Sequence, residues 1–365
     1  MTPPRRTTTT RSTVSNRDVA DVLAQLDELQ GGSGSGVVNL PGGERLEVTN
    51  LGKVFWPAPS ARPRASSKRT AASPAKAALT KGDLFRHYVR VAPVILPVLS
   101  DRPLVMKRFP NGIAGAPFYQ HRSDGKVPSG VRVESVESET EARPHVIGGS
   151  LTSLLYTVQL ASISQDPWFS RVGSITYADH VALDLDPPDD LPFGKVRDVA
   201  LWIRDELDAL GTVGMAKTSG SGGMHVYVPL PPRTSFDAGL LFAQIVATTV
   251  ARKHPQLATV ERSIKARGRR IYVDYLQNSR GKTLASAYSV RANAFAGVST
   301  PLTWEEVASD VSPQDFTMRN FPTRLSEVGD VWAALRSATG ANLRAAATYT
   351  EGGVSAPPTP RRSRR

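Results

Sequence analysis

Three aspartates are the residues best suited to chemistry. Asp184 and Asp186 stand two apart in Val181-Ala-Leu-Asp-Leu-Asp-Pro-Pro188. On a strand the side chains alternate, so these two carboxylates project on one side, about 7 Å apart, while Val181, Leu183 and Leu185 face the other way into a core. Paired carboxylates present oxygen donors, which suit hard divalent cations. The same spacing also describes two solvated acids at the end of a strand. Asp274 gives the pair company, closing the apolar run Arg270-Ile-Tyr-Val-Asp-Tyr-Leu-Gln-Asn278, with Gln277, Arg280, Lys282 and Arg291 after it. Three carboxylates holding two divalent ions is the arrangement that phosphoryl transfer to a hydroxyl requires: one ion lowers the hydroxyl pKa and both stabilise charge on the phosphate.

A phosphate side is supplied by Lys217-Thr-Ser-Gly-Ser-Gly-Gly-Met-His-Val-Tyr-Val228. A Ser/Gly turn running into a strand aims backbone N–H groups and the hydroxyls of Ser219 and Ser221 at phosphate oxygens, with His225 as a donor at the strand mouth. The turn lacks the Gly-Lys-Ser/Thr ending of a P-loop. A net charge of +12 fits a polyanionic partner, although seven of the arginines lie in the end segments. With no cysteine, thiol catalysis, disulfides and cysteine-held zinc are excluded. No apolar run is long enough to span a bilayer and no signal-peptide pattern opens the chain, so a cytoplasmic, nucleoid-associated protein without a membrane partner is expected.

The elements that must position these groups interleave. Strands are expected at 45–49, 54–56, 104–109, 180–186, 225–229 and 270–275, and helices at 84–99, 151–163, 196–210 and 236–253. Pro93 and Pro97 are expected to interrupt the first of these helices or to mark a second. The order predicts a mixed α/β (α+β) domain with a central active-site sheet flanked by helices. Residues 1–36 read as a disordered basic tail, a short amphipathic helix and a flexible Gly/Ser linker, so the helix is expected to be an appendage, or else to pack on its own domain. The folded body is expected over 37–338, with a basic inserted loop at 57–79 and a disordered basic tail over 339–365.

Taken together, Asp-Leu-Asp-Pro, Lys-Thr-Ser-Gly-Ser-x-Gly-x-His-Val-Tyr-Val and Val-Asp-Tyr-x-Gln-Asn-x-x-x-Lys-Thr…Tyr-Ser-Val-Arg resemble the polymerase domain of bacterial ligase D, in the archaeo-eukaryotic primase superfamily. The likeness runs from about Leu46 to Phe321 and includes Asn50-Leu-Gly-Lys-Val-Phe-Trp-Pro57, Leu79-Thr-Lys-Gly-Asp83 and Phe118-Tyr-Gln120. No ligase or nuclease domain fits in the remaining length, so the chain resembles a stand-alone member.

The resemblance implies an archaeo-eukaryotic primase-like fold and template-dependent addition of nucleotides, with ribonucleotides favoured, at DNA gaps or double-strand breaks during end joining. Asp184, Asp186 and Asp274 would bind two divalent cations, manganese favoured and magnesium admitted. Ser219, Ser221, His225, Gln277, Lys282 and Arg291 would meet the nucleoside triphosphate. Lys53 and Lys81 would capture the DNA 5′-phosphate. Arg108, Phe118, Tyr119 and Arg267 would meet template and primer, the rings stacking on bases without sequence preference. A separate DNA ligase and Ku are the implied protein partners. Two positions depart from the family pattern: Asp166 stands where a histidine is usual, and Gly222 where Lys or Arg is common. These departures keep open a catalytically weak end-binding and bridging module. A metal-dependent phosphodiesterase using the same triad on water is a third reading.

Overall fold

The computed structural model describes residues 14–58, 77–123, 125–137 and 141–351. The basic tail at 1–12, most of the inserted loop at 57–79 and the chain beyond 351 lie outside the described residues.

Helix α1 (Asn16–Gly31) opens on a capping box in which Ser15 and Asp18 satisfy one another's backbone N–H groups. Its apolar stripe has a partner, since Val22 and Leu26 are fully buried in the main core. Arg86 reaches across to Asp27 at 2.6 Å and to Gln30 at 2.7 Å. The expectation of an appended helix on a flexible linker is therefore corrected. The Gly/Ser stretch is a tight turn whose Gly34 takes φ +70°, a conformation that favours glycine. It delivers the chain into β1 (Gly36–Asn39), antiparallel to β2 (Arg45–Val48).

Next, β3 (Val54–Trp56) pairs with β4 (Leu79–Thr80), closing the two ends of the inserted segment against each other. Thr80 and Asp83 form the capping box of α2 (Lys81–Leu99), which continues through Pro93 and Pro97 as one helix instead of breaking. Burial of Leu84, Phe85, Tyr88, Val89, Ala92 and Ile95 offsets the lost backbone bonds. A small three-stranded sheet is built on β5 (Leu104–Arg108), flanked by β6 (Phe118–Gln120) and later by β9 (Asp166–Pro167). Between them come the hairpin β7 (Val133–Glu137) and β8 (Ala142–Val146), then α3 (Leu151–Gln159).

The principal sheet has the order β13-β14-β10-β12-β11-β15. At its centre is β10 (His180–Asp186); α4 (Phe193–Ala209) follows, then β11 (Met215–Thr218), β12 (Met224–Pro229), α5 (Phe236–Lys253), β13 (Ala258–Thr259), α6 (Ile264–Arg267), β14 (Ile271–Asp274) and β15 (Pro301–Leu302). All neighbours run antiparallel except β13 and β14. Val181, Leu183 and Leu185 are fully buried beside the apolar sides of α4 and α5, where Val199, Ile203, Phe242 and Val246 join the same core. The opposite face of β10 is left for polar groups. After α7 (Trp304–Ala308), α8 (Phe321–Val328) and α9 (Ala333–Ser337), the chain forms α10 (Leu343–Glu351) with Ala341 and Ala346 buried, so order does not end at 340. The mixed α/β architecture agrees with the sequence.

Candidate active site

Strand register assembles the polar face. Asp184 is the direct cross-strand partner of Asp274 on one side and of His225 on the other, and His225 in turn pairs with Lys217. Directly opposed residues of antiparallel strands share a face. One row, Asp274–Asp184–His225–Lys217, therefore crosses four strands, and Asp186 stands two residues farther along β10 on the same face. The row is bonded as well as aligned: His225 Nε2 lies 3.2 Å from Asp184 Oδ1. Lys217 Nζ lies 2.8 Å from His225 Nδ1, 2.9 Å from the Ala285 carbonyl and 2.6 Å from Ser299 Oγ.

Burial governs the electrostatics. It lifts the Asp184 carboxyl to about 6, against the pull of Lys217 and Arg291. Asp186, exposed as a residue, has its carboxyl lifted to about 7 by desolvation and then by repulsion from Asp184 and Asp274. Burial, reinforced by Lys217 and Arg291, holds His225 well below an ordinary histidine. Lys217 is also driven down by burial and by Arg291, while Asp184 and Asp166 oppose the shift.

Among the described residues no three acidic or imidazole side chains already close around one point. The aspartates form an open acidic face. Asp274 is held in direction by its own neighbours, Oδ1 accepting from the Leu276 N–H at 2.7 Å and Oδ2 from the Gln277 amide at 2.9 Å. All-oxygen donors on a face whose carboxyls repel one another fit a hard divalent cation, whose charge would relieve that repulsion.

The phosphate-side turn is clamped. Ser219 Oγ accepts from the N–H groups of Ser221 and Gly223, both at 3.1 Å. Arg291 donates to the Ser219 carbonyl at 3.0 Å, and Asn293 to that of Gly220 at 2.6 Å. Gly220 takes φ +74°, and a Cβ there would come within 2.8 Å of the Ser299 backbone nitrogen. At Gly222 a Cβ would meet open space. Arg291 is the cation whose field reaches Asp184, Asp186, Asp166, Lys217 and His225 together. Lys282 is exposed in the turn that follows Asn278.

A second assembly surrounds β5 and β6. Phe118 and Tyr119 are 46% and 61% exposed, which removes them from the core and turns their rings to solvent, that of Tyr119 stacked 6.0 Å from the His121 ring. Each has a cation beside it: the Arg108 guanidinium lies 5.1 Å from the Phe118 ring centre, and the Lys107 ammonium 5.4 Å from that of Tyr119. Arg108 is anchored by the Leu160 carbonyl at 2.6 Å and by Gln120 at 2.8 Å. Buried Lys81 donates to the Thr49 carbonyl and to Gln159; burial, then the charges of Lys53 and Arg108, bring it down to about 8. Lys53, exposed, donates to Asn111 at 3.1 Å. The fold thus gathers Lys53, Arg108 and the two rings into one basic and aromatic surface, with Lys81 buried behind it and within the field of Lys53 and Arg108.

Arg267, at the end of α6, stacks 3.7 Å over Tyr272, the cross-strand partner of Asp186. Asp166 accepts from Ser164 Oγ at 2.6 Å, and its carboxyl, raised by burial, feels Arg291, Lys107 and Lys217. Asp166 therefore joins the electrostatics of the acidic face. The sequence reading gave three residues no role of their own. Lys217 is a fully buried lysine on a short strand, Ser299 holds it, and Asn278 completes the β10 ladder by bonding both the N–H and the C=O of Ala182. The signal for Lys217 was present, a lone cation where the strand pattern calls for a core residue.

A family model described as "LigD, primase-polymerase domain" matches residues 80–332. The multifunctional non-homologous end joining protein LigD of Pseudomonas aeruginosa is 34% identical over 257 residues, covering 70% of this chain and 30% of the relative. The bifunctional LigD of Bacillus subtilis is 30% identical, covering 68% and 40%. Among solved structures, the polymerase domain of Mycobacterium tuberculosis ligase D in complex with DNA superposes with a TM-score of 0.70 at 27% identity, covering 81% of this chain and all of that one. This chain spans 30–40% of the length of the curated relatives named here. No helix among the described residues is long and apolar enough to cross a membrane.

Proposed function

This chain belongs to the LigD primase-polymerase domain family, and we propose that it is a template-dependent nucleotidyltransferase extending a DNA primer at gaps or breaks in end-joining repair. The observation that carries the reading is the registered row Asp274–Asp184–His225–Lys217, with Asp186 on the same face and the clamped Ser/Gly turn beside it. Asp184, Asp186 and Asp274 would hold two divalent cations, manganese favoured and magnesium admitted. When bound, such ions supply Lewis-acid activation of a 3′ hydroxyl and neutralise charge on the triphosphate.

The chain's own groups do the rest. Arg291 and Lys282 bring cationic donors to a triphosphate, the turn at Ser219 and Ser221 brings hydroxyls and N–H groups, and Gln277 keeps Asp274 aimed. Arg267 stands ready beside Asp186 for the primer end. Phe118 and Tyr119 stack on template bases, with Arg108 behind them, and Lys53 and Lys81 attract a 5′-phosphate across the gap. Ribonucleotides as preferred substrates, a separate ligase and Ku as partners, and a nucleoid-associated place of action belong to the same proposal. So does a catalytic body over 37–338, with α1 and α10 packed into its core.

Extension of a 5′-phosphorylated gapped duplex, with each nucleotide type and each metal, tests the reading. Wild type should extend in manganese, and Asp274→Ala should not. Equal extension by both proteins would overturn it.

A further inference from the structure

We infer that Lys217 is a positioning residue that keeps the His225 proton on Nε2, so that this imidazole faces the acidic side as a donor and stays out of the cation's ligand set. An ammonium has three donors and no acceptor. Lys217 Nζ has three neighbours within hydrogen-bond distance: the Ala285 carbonyl, Ser299 Oγ and His225 Nδ1. The carbonyl can only accept. Ser299 Oγ spends its own proton on the Thr218 carbonyl at 2.9 Å, so toward Lys217 it accepts as well. With two donors so used, the third meets Nδ1, which must then be bare. The proton belongs on Nε2, where it points at Asp184 Oδ1, 3.2 Å away.

The opposite arrangement fails on contacts. With Asp184 ionised, as a cation ligand must be, a neutral amine accepting from an Nδ1–H would leave an unprotonated Nε2 against a carboxylate oxygen, lone pair to lone pair. The hydrogen bond at one ring nitrogen sets the chemistry of the other. Lys217 has no exposed surface, is itself directly opposite His225 in the strand register, and has Tyr227 beneath it at 5.5 Å. It is built into the sheet and does not reach into a cleft.

The consequence is selectivity. Imidazole binds borderline metals such as zinc through a bare nitrogen, whereas an N–H cannot coordinate. By occupying Nδ1, Lys217 leaves the acidic face with oxygen donors only, and His225 remains a donor to Asp184 or to a phosphate oxygen. This rests on the proposed cation site, but the tautomer itself does not.

Two spectroscopic readouts test it on the full chain. In metal-free protein with nitrogen-15 histidine at pH 8, where the Asp184 carboxyl is ionised, the His225 signals, identified by their loss in His225→Gln, should show a protonated Nε2 and a bare Nδ1. Lys217→Met should lose that signature, and Lys217→Arg, also donor-only, should keep it. In manganese-loaded protein, electron spin echo modulation from a directly bound nitrogen should be absent in wild type and present in Lys217→Met. That variant should also shift the zinc-over-magnesium affinity ratio by about 10–100-fold. A wild-type proton on Nδ1, or nitrogen coupling in the wild-type manganese spectrum, overturns the inference, and the manganese spectrum needs no variant that folds. Failure of wild type to bind manganese would instead overturn the proposed function and leave the tautomer to be decided by the metal-free spectrum.

Discussion

The acidic face and the aromatic surface solve opposite problems. The first lies on the central strands of a six-stranded sheet, with Asp184, Asp274, His225 and Lys217 all buried. The second lies on the edge strand of a small sheet, with Phe118 and Tyr119 turned to solvent. Burial raises the carboxyls of Asp184 and Asp186, so the acidic face costs the fold free energy until a cation shares it. The aromatic surface carries little strain of that kind, because a ring with a cation behind it is stable in water and awaits only a base. Chemistry is concentrated where register fixes atoms, and polymer binding where a sequence-tolerant surface suffices.

Replacing one residue in each region should separate the two. Asp184→Ala is expected to reduce primer extension by about 10³-fold or more, while gapped-duplex affinity, read by fluorescence anisotropy, stays near wild type. A parallel loss of affinity would mean that the two regions are not independent. Phe118→Ala or Tyr119→Ala should do the converse. Each removes about 1–3 kcal/mol of base stacking, roughly 5–150-fold in DNA affinity, with extension at saturating DNA within a few-fold of wild type. A collapse of the saturated rate would make these rings part of the catalytic face.

Smaller effects sharpen the contrast. Lys53→Ala should weaken binding of 5′-phosphorylated gaps by a few-fold and lower the salt slope of binding by about one. Gaps lacking the phosphate should bind both proteins alike. The acidic face should show itself through pH. The folded carboxyls of Asp184 and Asp186 stand at about 6 and about 7, above their usual 3.8. Their favourable contribution is therefore complete below about pH 4 and is lost as pH rises through 6–7. Metal-free protein should melt progressively lower across that window, and manganese should restore the loss. Asp186→Asn should gain about 1 kcal/mol at pH 8 in metal-free protein, a figure discounted because Asp186 is solvent-exposed, and little at pH 4. A flat melting profile between pH 4 and 8 would remove the electrostatic distinction between the two regions.

Much of this was legible in the residues alone. The alternation through Val181, Leu183 and Leu185 set the face of Asp184 and Asp186, because side-chain direction on a strand is local. The Ser15/Asp18 and Thr80/Asp83 capping boxes are local in the same way, each joining residues three apart. Composition misled at Gly31 to Gly36, where glycine and serine look like a linker whether they are loose or folded into a turn against Leu29. It misled again at Pro93 and Pro97, where burial carries a helix through residues that would break an exposed one.

The amino-acid sequence by itself determined the kinds of group available: three strand-borne aspartates, a phosphate-side turn, basic residues and a pair of aromatic rings. Only the tertiary structure decided their partners. Asp184 and Asp274 are 90 residues apart, and the register of β10 on β14 makes them neighbours. Lys217 becomes a partner of His225 only through the pairing of β11 with β12 and through Ser299 behind it. Side-chain direction repeats every two residues and can be read along the chain, but register is a long-range choice fixed by which faces can be buried together.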